Sequence, residues 1–278
     1  MIRIIIDSSS DYSLEELERK NLELVSITIN ICGNSYHDIK DINRDDFYNM
    51  LVTSGEFPMT SQPSPQEFLD IFKDAKKKGD SIIVIALSSA LSGTFQSATL
   101  AKNMADYDEI YLIDSLSATH GIRHMVEYAI KLRDQGMTAA DIASAVEAMK
   151  SKVKILAGVD TLEYLCKGGR LSKAAAAIGE LANLKPIITV TEEGSVAVAG
   201  KALGRNKAII TIVKAIQSAQ INSDFPVYSV YAYGTENTEK LEEKLENAGI
   251  HVDEMHQIGA TIGTHVGPGA FGIIYVEK

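Results

Sequence analysis

Three segments of the chain carry more hydroxyl, amide and imidazole groups than turns or helix caps require. The first is Met59-Thr60-Ser61-Gln62-Pro63-Ser64, which leads into a helix start at Pro65 and by itself fits a plain Ser/Thr/Pro turn. The second, Ser88-Ser89-Ala90-Leu91-Ser92-Gly93-Thr94, separates an apolar run ending at Leu87 from a helical run over Phe95 to Met104. A strand, a hydroxyl-rich turn and a helix together make an anion site in α/β sheets, because free N–H groups and the positive end of the helix dipole face the loop. Ordinary N-capping by Ser92 or Thr94 competes with that reading. One cap needs one hydroxyl, however, and this loop carries four. The third segment runs from Gly263 to Gly272 and reads as a glycine-rich loop in which the backbone approaches a ligand or a neighbouring domain closely. Within it, His265 fits a hydrogen-bonding role near physiological pH and fits a structural histidine equally well.

Other patterns fall short of a site. Gly267, Gly269 and Gly272 match GxGxxG, but the six residues that follow cannot complete a strand-helix-strand nucleotide unit. Neither GK[ST] nor GxSxG occurs, and Ser151 to Lys154 matches SxxK only by letters. His120 and His124 have the i, i+4 spacing of one helix face, yet no third ligand stands in register, so no metal is expected. Gly168, Gly169 and Arg170 read as the end of a short helix beginning near Thr161, with Arg170 as a surface charge. The pairs Asp45, Asp46 and Glu242, Glu243 read as solvated helix faces.

The elements that must position these residues follow from periodicity. Ile2 to Asp7, Leu22 to Ile31, Ser81 to Leu87 and Glu109 to Asp114 read as strands alternating with helices, two of which open on capping boxes at Ser13 and Ser64. That rhythm predicts an α/β domain with a mainly parallel sheet over residues 1–152. From residue 153 the pattern changes to an α+β domain with mixed or antiparallel pairing, residues 153–278. It includes a hairpin of Pro186 to Thr191 and Ser195 to Leu203 around Glu192-Glu193-Gly194. Strands at Pro226 to Tyr233, His251 to Ile258 and Phe271 to Val276 follow, with helices near Asn206 to Ala219 and Thr235 to Ala248.

Composition narrows the partners. The 278 residues are 45% hydrophobic and carry a net charge of −10, which argues for a packed protein and against nucleic acid. No apolar stretch reaches the roughly 18 residues of a membrane span, and the opening run ending at Asp7 lacks the shape of a secretory leader. Cys32 and Cys166 stand alone, as reduced thiols of a cytoplasmic protein do.

Taken together, the segments resemble the DegV family of bacterial fatty-acid-binding proteins. The resemblance rests on Thr60 to Ser64, Leu91 to Thr94 with Gln96 to Ala98, Lys167 to Ser172, and His265 with Gly267 to Ala270. These are spread in family order from Asp7-Ser8 to Gly272. It implies two domains with a long-chain fatty acid, such as palmitate, stearate or oleate, in a cavity between them, and no cofactor. It places the carboxylate on Thr60 and Ser92, with Ser61, Gly93 and His265 close by. It also implies, for some members, a carrier role that presents the carboxylate to an ATP-dependent kinase subunit for acyl phosphate formation. Arg170, Lys201 and Arg205 are the residues it associates with that partner. Here Leu203 stands where the family's basic run has an arginine, and Thr119-His120-Gly121 departs from the family's usual Ser and Gly. The residues alone leave a second reading, a hydrolase or phosphotransferase using the Ser92 loop with His265 as base.

Overall fold

The computed structural model describes residues 1–175 and 183–278. The first part of the chain runs β1 (Ile2–Asp7), α1 (Leu14–Lys20), β2 (Leu22–Val25), β3 (Thr28–Ile31), β4 (Asn34–His37), α2 (Arg44–Ser54) and β5 (Met59–Ser61). It continues through α3 (Pro65–Lys78), β6 (Ser81–Ala86), α4 (Thr94–Ala105), β7 (Ile110–Asp114), α5 (His120–Asp134) and α6 (Ala139–Met149). After a single turn at Lys150–Lys152 come β8 (Val153–Gly158), α7 (Glu163–Lys167), β9 (Leu184–Val190), β10 (Val196–Leu203) and α8 (Arg205–Gln217). The last elements are β11 (Tyr228–Tyr231), α9 (Glu236–Asn247), β12 (Glu254–Gln257), α10 (Ala260–Val266) and β13 (Phe271–Val276).

Strands β2-β1-β6-β7 form a sheet that is parallel throughout. Its central strands are apolar on both faces because helices cover both. Ile5, Ile82 and Val84 pack under Phe68, Leu69 and Phe72 of α3 and Ala98 and Ala101 of α4. Ile4, Ile6, Ile83 and Ile85 meet Leu17 of α1, Ile122 and Met125 of α5 and Val146 of α6 on the other face. The second sheet, in the order β10-β9-β8-β13-β11-β12, is antiparallel except for β11 with β12. Helices α8 and α9 cover one of its faces. The protein is thus a two-domain α/β molecule, parallel in its first sheet and mixed in its second.

A third, antiparallel sheet, β4-β3-β5, corrects the expected strand over Leu22 to Ile31. The run interleaves apolar residues with Glu23, Ser26, Thr28 and Asn30 and carries no turn signal, but its ladder on β1 stops at Val25 opposite Asp7. There the Ile27 N–H turns to Ser8 Oγ at 3.0 Å and the Ile27 carbonyl to the Asp38 N–H at 3.0 Å. The chain then leaves as β3. With α2 it supplies Ile29, Phe47, Tyr48 and Leu51 to a core shared with Ile155, Ile188, Val230 and Ile274 of the second sheet.

The glycine-rich segment needs a second correction, since Gly263 to Val266 belong to α10 and are not loop. Glycine is required at 263 because a Cβ there would collide with the Tyr48 hydroxyl and meet Phe47 at 3.0 Å, so α10 can lie directly on α2. The loop proper starts at Gly267, whose φ is +77°.

Candidate ligand site

Loops at the carboxyl ends of parallel strands are where open α/β sheets bind ligands. Here the loops after β6 and β7 face the second sheet across an apolar cavity of about 830 Å³, part of it continuous with solvent. Ile155, Ala157, Ile188 and Val230 line it from the second sheet, and Leu87, Leu91 and Ala118 from the first. The polar side chains in its wall are Thr60, Ser92, Thr119, Arg170, Thr189, Thr261 and His265.

Four of these arrive from sequence motifs more than a hundred residues apart at their extremes, and the motifs are fastened to one another. Thr60, on β5 opposite Ile29, lies 2.9 Å from His265 Nε2 through its Oγ1. Gln62 crosses to the next motif, where its amide donates to Ser97 Oγ at 3.1 Å and lies against Gly93. A Cβ at Gly93 would collide with that amide, so glycine is there for the close approach of a side chain. Gly168 is likewise bare because the His265 ring occupies the space of its missing Cβ. Arg170 Nε donates to the Leu91 carbonyl at 2.9 Å and its Nη1 to the Gly168 carbonyl, which ties the third motif to the second.

The hydroxyl surplus after β6 divides into separate tasks. Ser92 Oγ lies 2.8 Å from Thr94 Oγ1 and accepts from the Thr94 N–H at 3.3 Å. Gly93 occupies the N-cap position of α4 and brings no side chain, so beyond the Thr94 N–H held by Ser92 the positive end of the helix stays open. Ser88 is buried and donates to the Gly194 carbonyl of the β9–β10 turn at 2.8 Å.

Burial lowers His265 to about 3, and the neighbouring Arg170 adds to the shift, so the imidazole is neutral near pH 7. Its Nδ1 is buried without a hydrogen-bond partner. Burial also pulls the Arg170 guanidinium below its ordinary range. The arrangement offers an anion neutral hydroxyls, a partly open helix end and one cation.

Residue by residue, the structure brings Thr60, Ser92 and His265 together in the cavity wall, with Gly93 next to Ser92 but covered by Gln62. Ser61 follows Thr60 on the same strand and therefore points the other way, where it is exposed and accepts from Asn30 Nδ2 at 3.3 Å. Arg170 stands in the cavity wall. Lys201 is exposed on β10, while Arg205 pairs with Asp160 through bonds of 3.1 and 2.7 Å. The hydrolase reading finds no relay, since His265 faces Thr60, Ser92 faces Thr94, and no acid orients Nδ1. Thr119 and Thr261 line the cavity though spacing does not assign them to the site, and Gln62, inside the first motif, has no role assigned by the sequence. Thr119 and Thr261 bond backwards to the buried carboxyls of Asp11 and Asp38 at 2.6 and 2.5 Å.

A family model described as an uncharacterised protein of the DegV family matches residues 1–278. The chain belongs to the DegV family. A DegV domain-containing protein of Caldanaerobacter subterraneus is 37% identical over 282 residues, covering 100% of this chain and 99% of that protein. Among solved structures, a fatty-acid-binding DegV family protein of Thermus thermophilus superposes with a TM-score of 0.88 at 31% identity. A stearic-acid-binding protein of Eubacterium ventriosum does so with a TM-score of 0.89 at 27% identity. In both cases 100% of this chain and 99% of the other are covered. Within the DegV frame no group of three metal-ligating side chains occurs among the described residues, and none of their helices is long and apolar enough to cross a membrane.

Proposed function

We propose that the cavity binds one long-chain fatty acid of the palmitate, stearate or oleate class, with the carboxylate at the Thr60, Ser92 and His265 end. The observation that carries this reading is the convergence of four separate motifs on the one polar end of an apolar cavity. Fatty-acid binding by the Thermus and Eubacterium relatives supports it. A tail of about 15 methylenes offers on the order of 12 kcal/mol of gross burial. Each charge-assisted hydrogen bond to the head adds about 1.5 to 3 kcal/mol, so the tail gives most of the affinity and the head gives orientation. Arg170 supplies the local positive charge that an acidic protein otherwise lacks.

The ligand is carried, not converted, by two units divided in sequence at residues 152 and 153, with β3 and α2 of the first packed on the sheet of the second. A hand-off of the carboxylate to a separate ATP-dependent kinase subunit is the finer part of the proposal, as is a cytoplasmic location. Lys201 and Arg205 would meet that partner, and Arg205 must first leave Asp160. The test is a matched pair of ligands of equal chain length. The acid should bind at least about tenfold more tightly than the corresponding alcohol, the worth of one charge-assisted bond. Equal affinity would remove the head-group assignment, and no binding of either would remove the lipid.

A further inference from the structure

We propose that Gln62 is a positioning residue of the head-group site, whose amide sets the gap between the Thr60 and Ser92 hydroxyls so that both reach one carboxylate. The inference rests on the fatty-acid reading of the cavity and adds to it a residue outside the cavity wall. Thr60, Ser92, Arg170 and His265 stand in that wall, whereas Gln62 and Gly93 do not.

The four motifs are joined in a closed circuit. Thr60 Oγ1 lies 2.9 Å from His265 Nε2, and the His265 ring packs on Gly168. Two residues on, Arg170 Nε donates at 2.9 Å to the carbonyl of Leu91, the neighbour of Ser92. What remains is the step from the Ser92 loop back to the Thr60 strand. Among the described residues one side-chain hydrogen bond makes it, from Gln62 Nε2 to Ser97 Oγ at 3.1 Å. Ser97 is buried one turn into α4, with its N–H on the Gly93 carbonyl at 2.9 Å. The Gln62 amide therefore lies along the first turn of that helix, its Oε1 over Gly93 and its Nε2 on Ser97. Because Gln62 is only two residues past Thr60, the bond ties one head-group hydroxyl to the element that carries the other.

Gly93 supplies a second observation. Its φ of −76° and ψ of 6° are those of an ordinary turn residue, so the backbone conformation does not call for glycine. The three atoms that a Cβ there would meet first all belong to the Gln62 amide, and two of them it would overlap outright. The missing side chain makes room for the amide and not for the ligand. Gln62 is itself exposed, so contacts and not burial hold its amide in place, and a methyl at residue 93 can evict it without disturbing the core.

The test reads head-group discrimination, the affinity for palmitate divided by that for hexadecanol, a ratio in which effects on the tail cancel. Gln62→Ala should lower the ratio by about fivefold, the worth of one neutral hydrogen bond, through palmitate alone. Gly93→Ala should lower it as far, because its methyl takes the place of the amide. The two together should lose no more than either, since the methyl then has nothing to evict. An unchanged ratio in Gln62→Ala, or equal weakening of acid and alcohol, would reduce Gln62 to a structural contact and overturn the proposal. Additive losses in the double variant would do the same. Should Gly93→Ala fail to fold, Gln62→Ala decides alone. A wild type that holds palmitate and hexadecanol equally overturns the head-group assignment itself, and a wild type that holds neither overturns the lipid reading.

Discussion

The protein has two buried polar regions, and the one richer in ionisable groups is not the proposed site. Behind the cavity wall, Asp11, Asp38, His120, His124, His256 and Arg123 gather between α5 and the second sheet. His120 stacks on His256 at 4.3 Å and His124 on Tyr228 at 4.5 Å. Arg123 forks onto Glu16 at 2.7 and 3.0 Å and lies 4.0 Å over the Tyr12 ring. Arg123 is spent on Glu16 and Tyr12, while Asp11 Oδ1, His120 Nε2, Arg123 Nε and His124 Nε2 are buried without partners among the described residues and away from the apolar cavity's wall. The cavity end holds fewer groups, and among the described residues they leave capacity over: a helix whose N-cap is a glycine, a guanidinium with no carboxylate, an imidazole with a bare Nδ1. Unspent hydrogen bonding beside an apolar space marks a binding site better than a count of titratable residues does.

The same contrast governs pH dependence. Burial lowers His124 and His256 to about 4, and lowers His120 well below its ordinary value, so each would take up a proton on unfolding below pH 6.5. Burial also raises Asp11 to about 7 and Asp38 to about 6, so these hold protons in the fold that the unfolded chain gives up. The two sets act in opposite directions on stability between pH 4 and 6 and offset each other within the cluster. His265 has no such counterweight beside it.

The largest effect should come from breaking the self-paired region. Arg123→Ala strands Glu16 and should cost about 3 to 5 kcal/mol in urea unfolding while leaving lipid affinity intact in the folded protein. A loss under about 1 kcal/mol would show that the cluster is not structural. At the cavity the pattern should invert. Thr60→Val with Ser92→Ala should weaken fatty-acid binding by about 2 to 4 kcal/mol and cost the lipid-free protein less, about 1 to 3 kcal/mol, through the unpaired His265 Nε2. Unchanged affinity would move the head group elsewhere.

Smaller effects sharpen the contrast. Below pH 6.5 the unfolded chain protonates His265 and the fold does not, so stability contributed by the neutral ring is present above pH 6.5 and lost as pH falls toward 3. His265→Gln should flatten the acid limb by about 1.4 kcal/mol per pH unit in denaturant titrations at pH 6 and 5. An unaltered slope would contradict a buried neutral ring. Least of all, Leu203→Arg, on an exposed side chain, should leave lipid binding unchanged and raise affinity for a kinase partner by about 0.5 to 1 kcal/mol. No gain in a pull-down with such a kinase would count against docking on this strand.

Much of the fold was legible because apolar runs buried on two faces announce themselves. Ile2 to Asp7 and Phe271 to Val276 have the bounds read from the residues alone, and the Ser13 capping box is formed. The break at Ser26-Ile27 was hidden, because what ends the ladder is Ser8 and Asp38, residues far away in sequence. The site was legible in its parts and not in its assembly. His120 and His124 do share a face of α5, but their stacking partners His256 and Tyr228 come from strands more than a hundred residues on. Ser61 looked equivalent to Thr60 until the strand period turned it outward. Arg170 read as a surface charge because nothing local shows that Leu91 receives it.

Native mass spectrometry of the gently purified protein tests the central claim most directly. The wild type should carry the mass of one long-chain fatty acid, lose it on delipidation and regain it on incubation with palmitate or oleate, while the Thr60→Val, Ser92→Ala protein should retain far less. A protein that arrives empty and stays empty, or a double variant as fully loaded as the wild type, would contradict the account.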